Sequence, residues 1–287
     1  MIVNPSAGGG RAARELPGVR RALTAHGLEH RVEETRSIEH ARELAIAAAS
    51  AGEVAVAFGG DGLVGAVAGA LAGVHTGVLG VLPGGRGNDF ARALGIPLTP
   101  LAATEVLANG TERDLDLGEA DGRTFVGIAS CGFDSEANRI ANETRLVRGN
   151  LVYAYGALRA LASWRPATFT LRIDDQPPRT VAGYTVAVAN SNAYGGGMLM
   201  APDASLTDGL LELVVVGAMG KTRFLRGLPK VFKGEHVNQP EVEVVRCARV
   251  AISAECPFTM YADGDPIAEL PVEVRVLPAA VRALVPR

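Results

Sequence analysis

An apolar run, Val54-Ala55-Val56-Ala57, breaks directly into Phe58-Gly59-Gly60-Asp61-Gly62 and then resumes as an Ala- and Val-rich stretch. A short buried strand that dissolves into glycines around one carboxylate and re-forms as a helix is a strand–loop–helix phosphate cradle. Glycine lacks Cβ, so such a loop turns sharply and its backbone can press against a ligand. The N–H groups that open the next helix point at that ligand, and the helix dipole favours negative charge there. Asp61 would repel a bare phosphate, so it belongs with a metal, a water or a nucleotide hydroxyl. A plain tight turn is the competing reading for an isolated match.

The pattern is not isolated. Gly77 to Leu82 reads as a second buried strand, followed by Pro83-Gly84-Gly85-Arg86-Gly87-Asn88-Asp89-Phe90-Ala91-Arg92. The chain also opens with Ile2-Val3-Asn4-Pro5-Ser6-Ala7-Gly8-Gly9-Gly10, a third strand-to-glycine transition. Ligands of open parallel sheets bind at the C-terminal ends of the strands, where all three loops would lie. A helix follows Ser37 as N-cap, with Ile38, Ala41, Leu44, Ala45 and Ala48 on one face and Gly52 at its end. Strands over 54–58 and 78–82 alternate with helices over 64–71, 89–94 and 100–107, which implies right-handed crossovers and a parallel sheet.

After about residue 120 the grammar changes. Short strands over 168–173, 181–189, 210–216, 242–245, 249–253 and 272–276 are separated by turn residues, as in an antiparallel sandwich. Helical insertions are expected over 149–163 and 221–232.

Composition narrows the function. The 287 residues are 48% hydrophobic and 21% charged, with net charge −3, so nucleic acid has no electrostatic support as a partner. Cys131, Cys247 and Cys256 have neither CxxC spacing nor nearby histidines, and read as free thiols in a reducing compartment. No signal peptide fits the N-terminus and no apolar run is long enough to span a bilayer. The expectation is a cytoplasmic protein whose membrane contact is peripheral.

Together the segments NPSAGGG, GGDG and PGGRGNDFAR resemble the diacylglycerol kinase catalytic family of bacterial lipid kinases, related to sphingosine kinases and distantly to NAD kinases. The resemblance continues through Asp114-Leu115-Asp116, Gly132-Phe133-Asp134, Ala201-Pro202, Asp208-Gly209-Leu210 and Asp263-Gly264-Asp265, in order, over nearly the whole chain. It implies an α/β nucleotide-binding domain with a parallel Rossmann-like sheet over 1–120 and a β-sandwich lipid-substrate domain over 121–277, with 278–287 returning to the first. It implies transfer of the ATP γ-phosphate to the hydroxyl of diacylglycerol or a similar lipid alcohol, dependent on Mg²⁺. The nucleotide side would draw on Asn4, Ser6, Thr35, Gly59, Gly60, Asp61, Gly62, Leu63, Gly85, Arg86, Asn88, Asp89 and Asp116. Asp265 stands where relatives carry a glutamate base for the lipid hydroxyl; it is one methylene shorter, so Asp263 stays a candidate beside it, and a D-G-D hairpin turn is the purely structural reading. Asp208, with the carbonyls of Ser205 and Leu210, matches a second magnesium site, against the alternative of a simple turn. A homodimer is left open.

Two departures stand out. The family's GGDGT threonine is Leu63 here, with Gly65-Ala66 in place of a following Asn-Glu, and its PxGT threonine is Arg86. A guanidinium grips phosphate with two donors where threonine offers one, so Arg86 can compensate. The rival readings are a non-catalytic lipid- or nucleotide-binding relative and, less favoured, an NAD kinase. On the lipid side, Leu151, Tyr153, Tyr155, Leu158, Leu161 and Trp164 read as a helix's core face before an acyl-chain cleft. The segment bearing Lys221, Arg223, Arg226, Lys230 and Lys233 is cationic and amphipathic, fit for anionic lipid or simply for solvent.

Overall fold

The computed structural model describes residues 1–133, 135–136, 140, 159, 161 and 164–287. Its first half is a parallel sheet flanked by helices. β1 (Ile2–Val3) lies between β2 (Glu33–Glu34) and β3 (Val54–Gly59), and β3 pairs with β4 (Val78–Pro83). The connections are α1 (Ala7–Ala25), α2 (Ile38–Ser50) and α3 (Asp61–Leu71), and α4 (Asp89–Ala93) and α5 (Pro100–Asn109) follow β4. Ser37 caps α2 as its sequence predicts, its hydroxyl accepting from His40 N at 3.1 Å, and Ala41, Ala45, Ala48 and Ala49 form the buried face.

Helix α1 has no counterpart in the sequence reading. Gly8, Gly9 and Gly10 hold φ of +59°, +68° and +84° at its start, and Pro17 lies inside it, so neither the cap nor the period is legible. Helix α3 starts three residues earlier than expected, at Asp61, because Gly60 takes the extended N-cap conformation.

The second half is antiparallel throughout: β5 (Thr111–Ala120), β6 (Arg123–Phe125), β7 (Ile128–Gly132), β8 (Ala167–Ile173), β9 (Arg179–Ala189), β10 (Leu211–Gly217), β11 (Val242–Cys247), β12 (Arg249–Ala254), β13 (Thr259–Ala262), β14 (Asp265–Glu269) and most of β15 (Val272–Val285). Phe169, Leu171, Val186, Val188, Leu213, Val250, Ile252 and Val274 fill its core by the alternation the sequence displays. Helix α6 (Lys221–Val231) packs outside it. The protein therefore has an α/β domain with parallel strands and an antiparallel β-sandwich domain. The insertion expected over 149–163, with Leu151, Tyr153, Tyr155 and Leu158, lies outside the described residues, as does Asp134. Leu161 and Trp164 are buried. None of the described helices is long and apolar enough to cross a membrane.

One strand ties the halves together. β15 pairs antiparallel with β12 through residues 272–275, then pairs parallel with β4 through Arg282 and Ala283. β5 runs beside it for its whole length, with a bulge between Leu277 and Val281. Asp116 faces that bulge. Its Oδ1 accepts from Ala279 N at 2.8 Å and its Oδ2 from Gly209 N at 2.7 Å, while its own N–H donates to Leu206 O at 2.7 Å. Expected among the nucleotide-side residues, Asp116 is 3% exposed and its carboxylate is occupied by the joint between the domains.

Removing that carboxylate leaves two part-buried amides without their partner, each worth about 1–3 kcal/mol. Asp116→Ala should lower unfolding stability by about 2–5 kcal/mol in a denaturant titration, with Asp116→Asn less affected because it keeps one acceptor. A parent-like midpoint for Asp116→Ala would remove the joint from this account.

Candidate active site

The C-terminal ends of β1, β3 and β4 bring the three glycine loops together. Gly84 N and Gly85 N both donate to Gly59 O, at 2.7 and 3.0 Å, and Asn4 N donates to Phe58 O at 3.1 Å. Gly60 and Gly85 meet backbone to backbone, so closely that a Cβ on Gly85 would overlap the Gly60 Cα. Only glycine allows this contact. Asn88, in the left-handed region at φ 53°, clasps its own loop by accepting from Gly85 N at 2.8 Å and donating to Gly85 O at 3.1 Å.

Two helices begin at this edge with an aspartate in first position. Asp61 Oδ1 accepts from Phe90 N at 3.1 Å, which fixes α3 against α4. Asp89 Oδ2 accepts from Gly196 N at 2.8 Å, so the sandwich domain contacts the loop directly. The Oδ2 atoms of both aspartates lie 3.0 Å from where a Cβ of Gly87 would be, which puts the two carboxylates side by side. Burial pushes the Asp61 carboxyl up, and the Asp89 charge adds to this. Asp89 Oδ1 is buried with no hydrogen bond, its nearest cation being Arg92 Nε at 3.9 Å.

The β13–β14 hairpin supplies the other wall. Asp263, at φ 52°, accepts from Val126 N with Oδ2 and from Gly127 N with Oδ1, both at 2.9 Å. Burial, reinforced by the Asp61 charge, pushes its carboxyl up to about 7. Asp265 is exposed and its side chain has no hydrogen bond or ion pair among the described residues. The hairpin presses on the first turns of α3 through glycines: Asp265 Oδ2 lies 3.5 Å from the Cβ position of Gly62, and Asp263 Oδ2 lies 3.4 Å from that of Gly65. Gly65, at the family's Asn-Glu position, therefore lies against Asp263.

The remaining expected residues separate into groups. Ser6 donates through N and Oγ to Asn4 Oδ1, at 3.1 and 2.8 Å, at the end of β1. Thr35 lies beside it, its N–H donated to Val3 O at 2.8 Å. Arg86 is exposed in the loop after β4, and its side chain is unpaired among the described residues. Leu63, expected on the nucleotide side, is 3% exposed and turns its side chain into the core beneath Gly59. Asp208 Oδ1 accepts from Leu210 N at 3.1 Å and its Oδ2 pairs with Arg246; Ser205 Oγ lies 3.3 Å from Thr207 Oγ1 in the same turn. That turn adjoins Asp116 through Gly209 rather than the glycine loops.

Comparison with known proteins places the chain in a family. Residues 1–120 match the diacylglycerol kinase catalytic domain, and 127–285 match the YegS C-terminal NAD kinase beta sandwich-like domain. The chain belongs to the diacylglycerol kinase catalytic family. Over its full length it is 37% identical to a diacylglycerol kinase of Mycobacterium tuberculosis (strain CDC 1551 / Oshkosh), covering 94% of that protein. It is 31% identical, over 93% of this chain and 88% of the relative, to a probable lipid kinase YegS-like protein of Chromohalobacter salexigens. A crystal structure of a diacylglycerol kinase from Bacillus anthracis str. Sterne shares the fold, with TM-score 0.76 and 21% identity over 99% of this chain and 95% of that one. The protein is a lipid kinase, and a kinase of this family takes a nucleotide as its phosphoryl donor.

The raised carboxyl of Asp263 has a consequence for stability. Between the ordinary carboxyl value and about 7 the folded state holds a proton that the unfolded state has lost, so stability falls as pH rises through that window and levels off above it. In metal-free buffer the thermal midpoint should drop between pH 5 and pH 8, and Asp263→Asn should flatten that slope. A variant with the parent's slope would assign the proton elsewhere.

Proposed function

We propose that this lipid kinase transfers the γ-phosphoryl group of ATP to the hydroxyl of diacylglycerol or a similar lipid alcohol, with Mg²⁺, at the inner face of the membrane. The observation that carries this reading is the position of Asp265. It is a free carboxylate from the sandwich domain, held over the first turn of the helix that carries Asp61. Asp263 anchors the hairpin with both oxygens, and Asp265 is left to act.

In this reading Asp265 accepts the proton of the lipid hydroxyl as the oxygen attacks the γ-phosphorus. The bond from that phosphorus to the bridging oxygen breaks, and ADP leaves. Backbone N–H groups of the glycine loops and the α3 N-terminus hold the phosphates. Arg86 reaches them from the β4 loop, and Asn4, Ser6 and Thr35 border the nucleoside. Asp61 and Asp89 fit a hard divalent cation, since their oxygens converge and one is buried without a partner. Among the described residues no three acidic or metal-binding side chains share one point, so Mg²⁺ would keep much of its water shell. When bound, it neutralises phosphate charge. A second Mg²⁺ on Asp208 and the carbonyls of Ser205 and Leu210 would stiffen the domain joint in competition with Arg246.

The direct test supplies ATP labelled at the γ-position and a short-chain diacylglycerol, and looks for labelled lipid phosphate. No transfer to any lipid alcohol, with nucleotide binding intact, would favour a binding protein. Asp265→Ala should lower kcat by about 10²–10⁴-fold with little change in ATP affinity. A larger loss in Asp263→Ala, with Asp265→Ala near the parent, would move the base to Asp263.

Arg86→Ala should weaken ATP binding by about one to two decades, the worth of a charge-assisted contact. Arg86→Thr should recover part of this. If isothermal titration finds both variants equal to the parent, Arg86 is not a phosphate ligand.

A further inference from the structure

The outward face of α6 and the turn after it carry an apolar ridge bordered by cations, which the phosphoryl-transfer chemistry does not use. Leu225, Pro229 and Phe232 follow one another at helical spacing and are all exposed, Leu225 by 38% and Phe232 by 56%. Lys221, Arg226, Lys230 and Lys233 flank them, and α6 contains no acidic residue. Arg223 is paired with Glu241 at 2.9 Å, whereas the side chains of Arg226, Lys230 and Lys233 have no hydrogen bond or ion pair among the described residues.

The ridge is not part of the core cluster that seats its own helix. That task belongs to the opposite face, where Phe224 stacks on Tyr184 at 4.2 Å and meets Phe133 edge-on at 4.8 Å, and Gly227 is buried. A solvated face accounts for the cations. It does not account for Leu225, Pro229 and Phe232 in line among them on a chain of net charge −3.

Its position connects it to the site. Val231 O, at the end of α6, accepts from Leu199 N at 2.9 Å. The loop just before Leu199 is closed by two Tyr194–Met198 backbone bonds of 2.9 Å, and from its tip Gly196 N reaches Asp89. One short loop thus separates the ridge from the carboxylates at the mouth of the phosphate loops.

We infer that this ridge docks the enzyme on a bilayer carrying anionic lipids, with Leu225 and Phe232 entering the headgroup boundary and Arg226, Lys230 and Lys233 lying against lipid phosphates. The inference rests on the lipid-kinase reading only in that a bilayer-resident acceptor requires docking. Sedimentation of the full chain with phosphatidylcholine vesicles, with and without phosphatidylglycerol, tests it. The parent should bind the anionic vesicles selectively and release them as salt is added. Removing one cation should cost about fivefold in partitioning, so a Arg226→Gln, Lys230→Gln, Lys233→Gln variant should lose about a hundredfold. Phe232→Ser should weaken binding with all charges retained. Both variants should keep the parent's thermal midpoint and its turnover of a dispersed short-chain diacylglycerol. A parent that ignores anionic vesicles, or variants that bind them as the parent does, would overturn the docking surface. Vesicle binding without turnover of any lipid alcohol would instead support the surface and overturn the substrate reading.

Discussion

Everything in this molecule that brings two domains to one site depends on a joint of backbone hydrogen bonds around Asp116. β15 begins inside the sandwich and ends in the parallel sheet, and β5 follows it the whole way. A long strand pair alone would bend. The buried carboxylate at its bulge receives amides from β15 and from the turn that holds Asp208, so the joint has a defined angle. That angle sets where the β13–β14 hairpin lands on α3, and therefore where Asp265 stands relative to the glycine loops.

The site itself is built by letting backbones touch. Gly60 against Gly85, and the Asp263–Asp265 hairpin against Gly62 and Gly65, bring negative side chains close to main chain that offers N–H groups. Asp61, Asp89 and Asp263 then crowd one another, and both Asp61 and Asp263 are pushed toward the protonated form by burial and by a neighbouring carboxylate. Such crowding is unfavourable in a merely structural corner and common where a cation or a proton has to be handled. A magnesium nucleotide would relieve it.

Much of this was legible in the sequence. Alternation at period two located most strands of the sandwich, and strand-to-glycine transitions located the loops, because both are local patterns. Helix α1 was hidden by Gly8 to Gly10 and Pro17, which erase the usual start and period. The extent of β5 was hidden because Asp114-Leu115-Asp116 looks like a ligand motif when it is also a strand centre. The role of Asp116 depends on Gly209 and Ala279, 93 and 163 residues away in sequence, and no local signal reports such a partner. Leu63 and Gly65 appeared as losses against the family pattern. In the structure Leu63 fills the core beneath Gly59, so that departure is accommodated by packing, and Gly65 lies against Asp263.

The central claim is that Asp61 from one domain and Asp265 from the other act on the same reacting phosphoryl group. A double-mutant cycle in kcat, using Asp61→Asn, Asp265→Ala and the combined variant, tests it most directly. Residues that act as a unit are strongly non-additive. The account predicts that the combined variant is scarcely slower than the slower single one. A combined loss equal to the product of the two single losses would contradict it and place the two carboxylates in independent roles.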